Sequence, residues 1–214
     1  FVNRVLAPHL GTRCVWGQAR CVMTSRRRRI FFRGGLASYA LAKRDIQLWM
    51  KEDRNSDAAF STMFDLYALP VDFPGYAKAK QIADPFRRVE ALEAALGADI
   101  NERRFIPYIQ LHEFEALVLT DAGKLEWEFI DHAGAIADLA RMAASFPSPE
   151  HIDDGQDTAP SKRIIKEIPE YEGMKASAGP LVADKIGLPA IRQKCRHFAD
   201  WLTRLEALGA DKNP

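Results

Sequence analysis

The sequence predicts an α/β fold, a parallel sheet flanked by helices, with a helical C-terminal annex. Three observations carry that expectation. Up to about residue 121, short apolar runs alternate with helical stretches of a dozen or more residues, the pattern of strand–helix–strand units with parallel strands. Beyond Asp121 no further strand pattern stands out, and the chain reads as helices and one polar loop. At 214 residues, 47% hydrophobic and 28% charged, it has the length and composition of a globular domain with a sizeable core. The expected division is 1–121 for the α/β core and 122–214 for a helical extension of the same domain.

Each element has its local reason. FVNRVLAPHL places Val2, Val5 and Leu6 at helical spacing with no capping residue ahead, so it reads as the inside of a helix that starts upstream. Residues 14–17 and 19–25 read as short strands. GGLASYALAKRDIQLWMKED sets Leu36, Tyr39, Ala40, Ile46, Trp49 and Met50 roughly on one helical face. AAFSTMFDLY is a buried strand that reaches Asp65. ALPVDFPG, with Pro70, Pro74 and Gly75, is loop. DPFRRVEALEAALG opens with Asp84 as N-cap and Pro85 in the first turn, and Gly97 is its expected stop. RFIPYIQL is the next strand, with Pro107 confining it to an edge or an opening position. Residues 122–146 are helical and 147–163 form a polar loop, with Thr158 the expected cap of a helix entered at Pro160. LPAIRQKCRHFADWLTRLEAL is expected as one amphipathic helix with Ile191, Cys195, Phe198, Leu202 and Leu205 in a stripe.

Charge is unevenly placed. Ten of the 30 Lys and Arg residues fall in 1–44, ahead of the first acid, Asp45. That asymmetry points to a phosphate-rich partner near the basic end, with Arg26, Arg27, Arg28, Arg29 and Arg33 as nucleic-acid-binding candidates. A solvated hairpin tip explains the RRRR run equally well. Lys162 and Arg163, in the first turn after Pro160, are further phosphate candidates. No apolar run approaches the roughly 20 residues of a membrane span. Three unevenly spaced cysteines fit neither a disulfide framework nor a zinc site and suggest a reducing cytoplasm.

Chemistry concentrates in YIQLHEFEALVLTD, where His112, Glu113 and Glu115 sit between two apolar runs. Desolvating such groups is costly, so a polar purpose is expected. Parallel α/β sheets bind ligands outside the carboxyl ends of their strands. Asp65 ends one expected strand, His112 and Glu113 end another, and Asp72 follows in the adjoining loop. In a helix starting near 112, His112 and Glu115 share a face that can line a cleft. Carboxylates gathered from separate strands suit a hard cation such as Mg or Mn. Zinc fits worse, because HEFEA lacks the second histidine of a His-Glu-x-x-His site. The competing reading is structural: helix N-terminal acids, a strand-end turn aspartate and a hydrogen-bonded histidine.

MFDLYALPVDFPG, FIPYIQLHEFEALVLTD, IDDGQDTAPSKRI and IGLPAIRQKCRHFADWL together resemble domain of unknown function 4276, across nearly the whole chain. That family is similar to Toprim-like domains. The resemblance implies a compact α/β core in which a first-strand glutamate joins strand-end aspartates to hold magnesium. It also implies an AAA-type ATPase encoded nearby and a setting of phage defence. Asp65 matches the strand-end aspartate, but the second acid of the Asp-x-Asp pair is here Tyr67. The glutamate pattern that should precede FVNRVLAPHL does not occur in this sequence, so one sheet strand and one metal-binding acid are expected to be missing. The expected function is a metal-dependent nuclease or phosphoryl-transfer subunit, with Asp65, Asp72 and Glu113 on the metal and His112 and Glu115 catalytic. The alternatives are a non-catalytic partner or sensor subunit and a nucleic-acid-binding module.

Overall fold

The computed structural model describes the chain except residues 28, 29, 34, 35, 37, 153, 154, 156 and 211–214. A π-helical turn, Val2–Leu6, runs into α1 (Ala7–Gly11). The chain then forms β1 (Met23–Arg27), β2 (Ile30–Arg33), α2 (Tyr39–Glu52), β3 (Phe60–Ser61), β4 (Phe64–Asp65), α3 (Tyr76–Ala79), α4 (Pro85–Ile100), β5 (Phe105–Ile106) and β6 (Ile109–Gln110). It continues as α5 (Glu115–Val118), α6 (Ala133–Ala144), α7 (Pro160–Glu167), α8 (Tyr171–Ile186), α9 (Leu188–Lys194) and α10 (Arg196–Ala207), with 3-10 turns between. Mixed α/β character is present, with small parallel sheets and a helix-rich remainder. The elements gather into two compact units, Arg20–Leu111 and Phe1–Ala19 with His112–Pro214.

In the 20–111 unit, β1 and β2 pair antiparallel, while β3 pairs with β5 and β4 with β6, both parallel. The strand expected across 58–67 is thus two short strands. The cause lies opposite: Pro107 has no N–H to offer the ladder. The Thr62 hydroxyl fills the gap, accepting from the Tyr108 N–H at 3.2 Å and donating to the Tyr108 carbonyl at 2.9 Å. Residues 14–17, expected as strand, are not in one. Helix α4 begins as its sequence predicts, with Asp84 Oδ1 accepting from the N–H groups of Phe86 and Arg87. It passes through Gly97 and stops at Asn101, which takes the left-handed conformation (φ 49°) that ends helices. Val89, Leu92 and Leu96 of α4 pack with Phe60, Phe64, Phe73, Phe105 and Ile109 in this unit's core. Gly75 (φ 77°) lets the FPG turn close on α4, since a Cβ there would lie 2.8 Å from that of Ala95.

In the other unit, Val118, Leu119, Leu125, Phe129, Ile136, Leu139, Ile164, Tyr171 and Val182 form the core. The helix expected across 188–208 is broken at Cys195 (φ −110°, ψ 92°), which separates α9 from α10. Cys195 still lies in the buried stripe with Ile191, Phe198 and Leu202. The apolar pattern therefore survives a break that periodicity alone does not signal.

Candidate functional site

His112 follows β6 in the left-handed region (φ 60°), a conformation uncommon outside glycine, in which Asn, Asp and His are the enriched exceptions. This backbone turn ends the strand, and α5 starts only at Glu115. The expected cleft-facing helix from 112 is therefore absent, and the trio is buried instead: His112 2% exposed, Glu113 8% and Glu115 7%. His112 Nε2 lies 3.0 Å from the Glu150 carbonyl oxygen. A carbonyl only accepts, so Nε2 carries the proton and the ring is fixed by that bond.

Glu113 reaches the start of α7. Its Oε2 accepts from the Ser161 N–H at 2.8 Å and its Oε1 from the Ser161 hydroxyl at 3.1 Å. Helix α7 begins at Pro160 with Ala159 at the cap position, and Ala159 has no side-chain acceptor. Thr158, the cap expected from sequence, is not the residue that supplies one. Glu113 provides that acceptor from 48 residues upstream, where the carboxylate also meets the positive end of the helix. Glu115, two residues on, accepts from the Tyr171 hydroxyl at 3.4 Å. Burial raises the Glu115 pKa above the usual carboxylate range, the charge of Glu113 adds to the rise, and Lys175 opposes it. Burial likewise raises the Tyr171 hydroxyl, so it stays protonated and donates. Space for this packing comes from Gly179 of α8, where a Cβ would meet the Phe114 ring at 3.1 Å and the Tyr171 oxygen at 3.2 Å.

The third acid of this cluster, Glu150, is fully buried and was not singled out by its sequence context. Its carboxylate accepts from the N–H groups of His197 (2.9 Å) and Phe198 (3.0 Å) at the start of α10. Here too the cap residue, Cys195, provides no side-chain cap of its own. Burial raises the Glu150 pKa, against the lowering effect of the Phe198 and His197 N–H groups. The Cys195 thiol, bonded to the Thr120 hydroxyl at 3.4 Å, is pushed up to about 12, by burial and then by Glu150. It is a packed thiol, not a nucleophile. Only the missing hydroxyl at the helix start hinted that a distant acceptor was needed.

Asp65 and Asp72 belong to the 20–111 unit. Asp65 is half-buried at the carboxyl end of β4, in parallel register with Gln110. Asp72 caps α2: its carboxylate accepts from the Tyr39 N–H at 3.1 Å, the Ser38 hydroxyl at 3.1 Å and the Ala40 N–H at 3.4 Å. The Tyr39 N–H leads the effects that lower its pKa. The other end of α2 is closed by Arg104, which donates to the carbonyls of Met50, Asp53 and Asn55. Of the basic candidates, Arg28 and Arg29 lie outside the described residues, and Arg26, Arg27 and Arg33 are placed on β1 and β2. Lys162 is exposed on α7. Arg163 donates to the Thr158 carbonyl at 2.7 Å and stacks over the Phe146 ring at 5.3 Å, which holds its guanidinium in the fold.

The family described as Domain of unknown function (DUF4276) matches residues 1–206. The chain belongs to that family. No curated protein and no solved structure matches it. In this DUF4276 chain, two of the four stretches that carry the resemblance contain helix caps, Asp72 for α2 and Glu113 for α7. The donor set fits a resident Mg or Mn poorly. Hard cations take several oxygens whose lone pairs face the ion, whereas Asp72 and Glu113 turn both oxygens to helix-start donors. Burial raises the pKa of Glu115. Among the described residues no group of three or more His, Cys, Asp or Glu is gathered closely enough to hold an ion. No helix among them is long and apolar enough to cross a membrane.

Proposed function

We propose that this chain is a non-catalytic binding subunit that works beside an ATPase on nucleic acid, with the HEFEA acids serving the fold. The observation that carries this reading is the engagement of Glu113, whose two oxygens accept from the Ser161 N–H and hydroxyl. A buried carboxylate so bonded orders a helix start, and each of its oxygens is already engaged by a donor. The nucleic-acid side of the proposal rests on the basic first 44 residues and on exposed Lys162. The ATPase partner and the phage-defence setting come from the family resemblance. The odd number and uneven spacing of the three cysteines support a cytoplasmic location.

Fluorescence anisotropy with labelled single- and double-stranded DNA and RNA, across a salt series, tests this reading. Affinity should fall steeply with salt, stay the same in EDTA and in manganese, and drop when Arg26 to Arg29 are changed to Gln. No labelled strand should be cut. Salt-independent binding, or none, removes the reading.

Asp65 favours a second reading, a Toprim-like, Mg- or Mn-dependent nuclease or phosphoryl-transfer subunit. It lies at the carboxyl end of a parallel strand, where α/β folds place their ligands. Metal-dependent cleavage abolished by Asp65→Ala, with the fold intact, would establish it over the first.

A further inference from the structure

A cleft of about 510 Å³ opens within the unit that contains α5 to α10, lined by residues including Thr120, Asp121, Ala143, Phe146, Gln193 and Lys194. Its volume lies in the range of small-ligand sites, roughly 300–1,000 Å³. Two helices end at its walls, α6 at Ala144 and α9 at Lys194. A helix C-terminus carries about half a negative charge in its last turn. The third wall is a break in the 3-10 run after α5, where Asp121 leaves helical geometry (φ −145°, ψ 85°). The Asp121 carboxylate, exposed and turned onto the Gly123 N–H at 3.2 Å, adds a full negative charge. The cleft's own cation shows the preference of these walls, because the Lys194 ammonium donates to the Thr120 carbonyl at 2.9 Å. Ala143 and Phe146 line the same cleft and supply apolar surface, with the Phe146 ring also carrying the Arg163 guanidinium at 5.3 Å.

We propose that this cleft binds an organic cation on a short apolar stem, an alkylammonium or guanidinium group. Such a group comes either from a small amine or from a lysine or arginine side chain of a partner chain. The stem would lie along Ala143 and Phe146, and the cation would take the place that Lys194 holds at the Thr120 carbonyl, opposite Asp121. The opposite chemistry, an anion held by Lys194 and Gln193, is less consistent with two helix C-termini and a carboxylate. This inference does not depend on the function proposed above.

Amide chemical shifts of the full chain, titrated with butylammonium chloride and separately with the peptide acetyl-Gly-Lys-Gly-amide, test it. Saturable shifts are expected at Thr120–Ala122, Ala143–Phe146 and Gln193–Lys194. Asp121→Asn should weaken binding roughly two- to fivefold, the size of one exposed charge pair. Lys194→Met should strengthen it, because the competing ammonium is gone. Tighter binding of the peptide assigns the site to a partner's side chain, and tighter binding of butylammonium assigns it to a small amine. Absence of saturable shifts with both probes overturns the proposal. So does weaker cation binding in Lys194→Met, or saturable binding of sodium acetate at the same amides. Both substitutions are at exposed positions, and retained far-UV dichroism confirms that the fold is intact before either is interpreted.

Discussion

Asp72 and Glu150 do the same job in different surroundings, and their chemistry diverges accordingly. Each offers a carboxylate to the first N–H groups of a helix that lacks its own cap, α2 for Asp72 and α10 for Glu150. Asp72 is exposed, so the bonds to the charged form dominate and its pKa falls. Glu150 is fully buried, so desolvation dominates and its pKa rises despite two N–H donors. Solvent access, not the hydrogen-bond count, decides the direction. Glu113 belongs with Glu150 by burial, and all three caps are remote in sequence from the helix they serve.

The contrast sets the order of expected effects. Glu150→Ala should be the most damaging, since it leaves two N–H donors at the α10 start unsatisfied, at about 1–3 kcal/mol each, and opens a void. Urea denaturation should read a loss of about 3–5 kcal/mol. Glu113→Ala comes next, with an expected loss of about 1–3 kcal/mol and faster amide exchange in the first turn of α7. An unchanged exchange rate there would show that the Glu113–Ser161 bonds do not order the helix. Asp72→Ala should cost about 0.5–2 kcal/mol, as caps do, with Asp72→Asn milder. A loss equal to that of Glu150→Ala would erase the distinction between exposed and buried caps.

The smallest effect is the most diagnostic one. A group whose folded pKa is raised contributes stability below its ordinary value, and that stability is lost as pH rises through the folded pKa. For Glu150 and Glu115 the loss therefore begins above about 4.5. For Asp72, lowered from 3.8, stability is present above that value and lost as pH falls through the folded one. Urea midpoints measured from acid to neutral pH should show wild type losing ground to Glu150→Gln as pH rises. Wild type should lose its advantage over Asp72→Asn as pH falls. Parallel curves for either pair would contradict the assigned directions.

Local rules made the helices legible, and long-range partners hid the rest. Asp84 and Pro85 announced α4 because cap and helix are neighbours in sequence. Gly97 misled as a stop, since the left-handed residue that ends the helix is Asn101. Cys195 sits in a continuous apolar stripe, so nothing in the period of that stripe reveals the break before α10. Parallel strands were readable from the apolar runs, but Pro107 split them in a way that needed the Thr62 hydroxyl opposite to make sense. In the site, His112, Glu113 and Glu115 stood out because buried charge demands a reason. The reason itself, Ser161, Tyr171 and the Glu150 carbonyl, lies 38 to 56 residues away and leaves no local mark. A single acid in a polar loop looks like surface, so Glu150 carries no local mark of its burial.

If Glu113 serves α7 as a cap alone, metal should leave its contribution to stability unchanged, and linkage tests this directly. Anything that binds the folded chain alone raises its denaturation midpoint. The measurement is the urea midpoint of wild type and Glu113→Ala, each in manganese and in EDTA. Wild type should have the same midpoint in both solutions, and Glu113→Ala should be lower by the same amount in both. A midpoint that manganese raises in wild type but not in Glu113→Ala would contradict the account and make Glu113 a ligand.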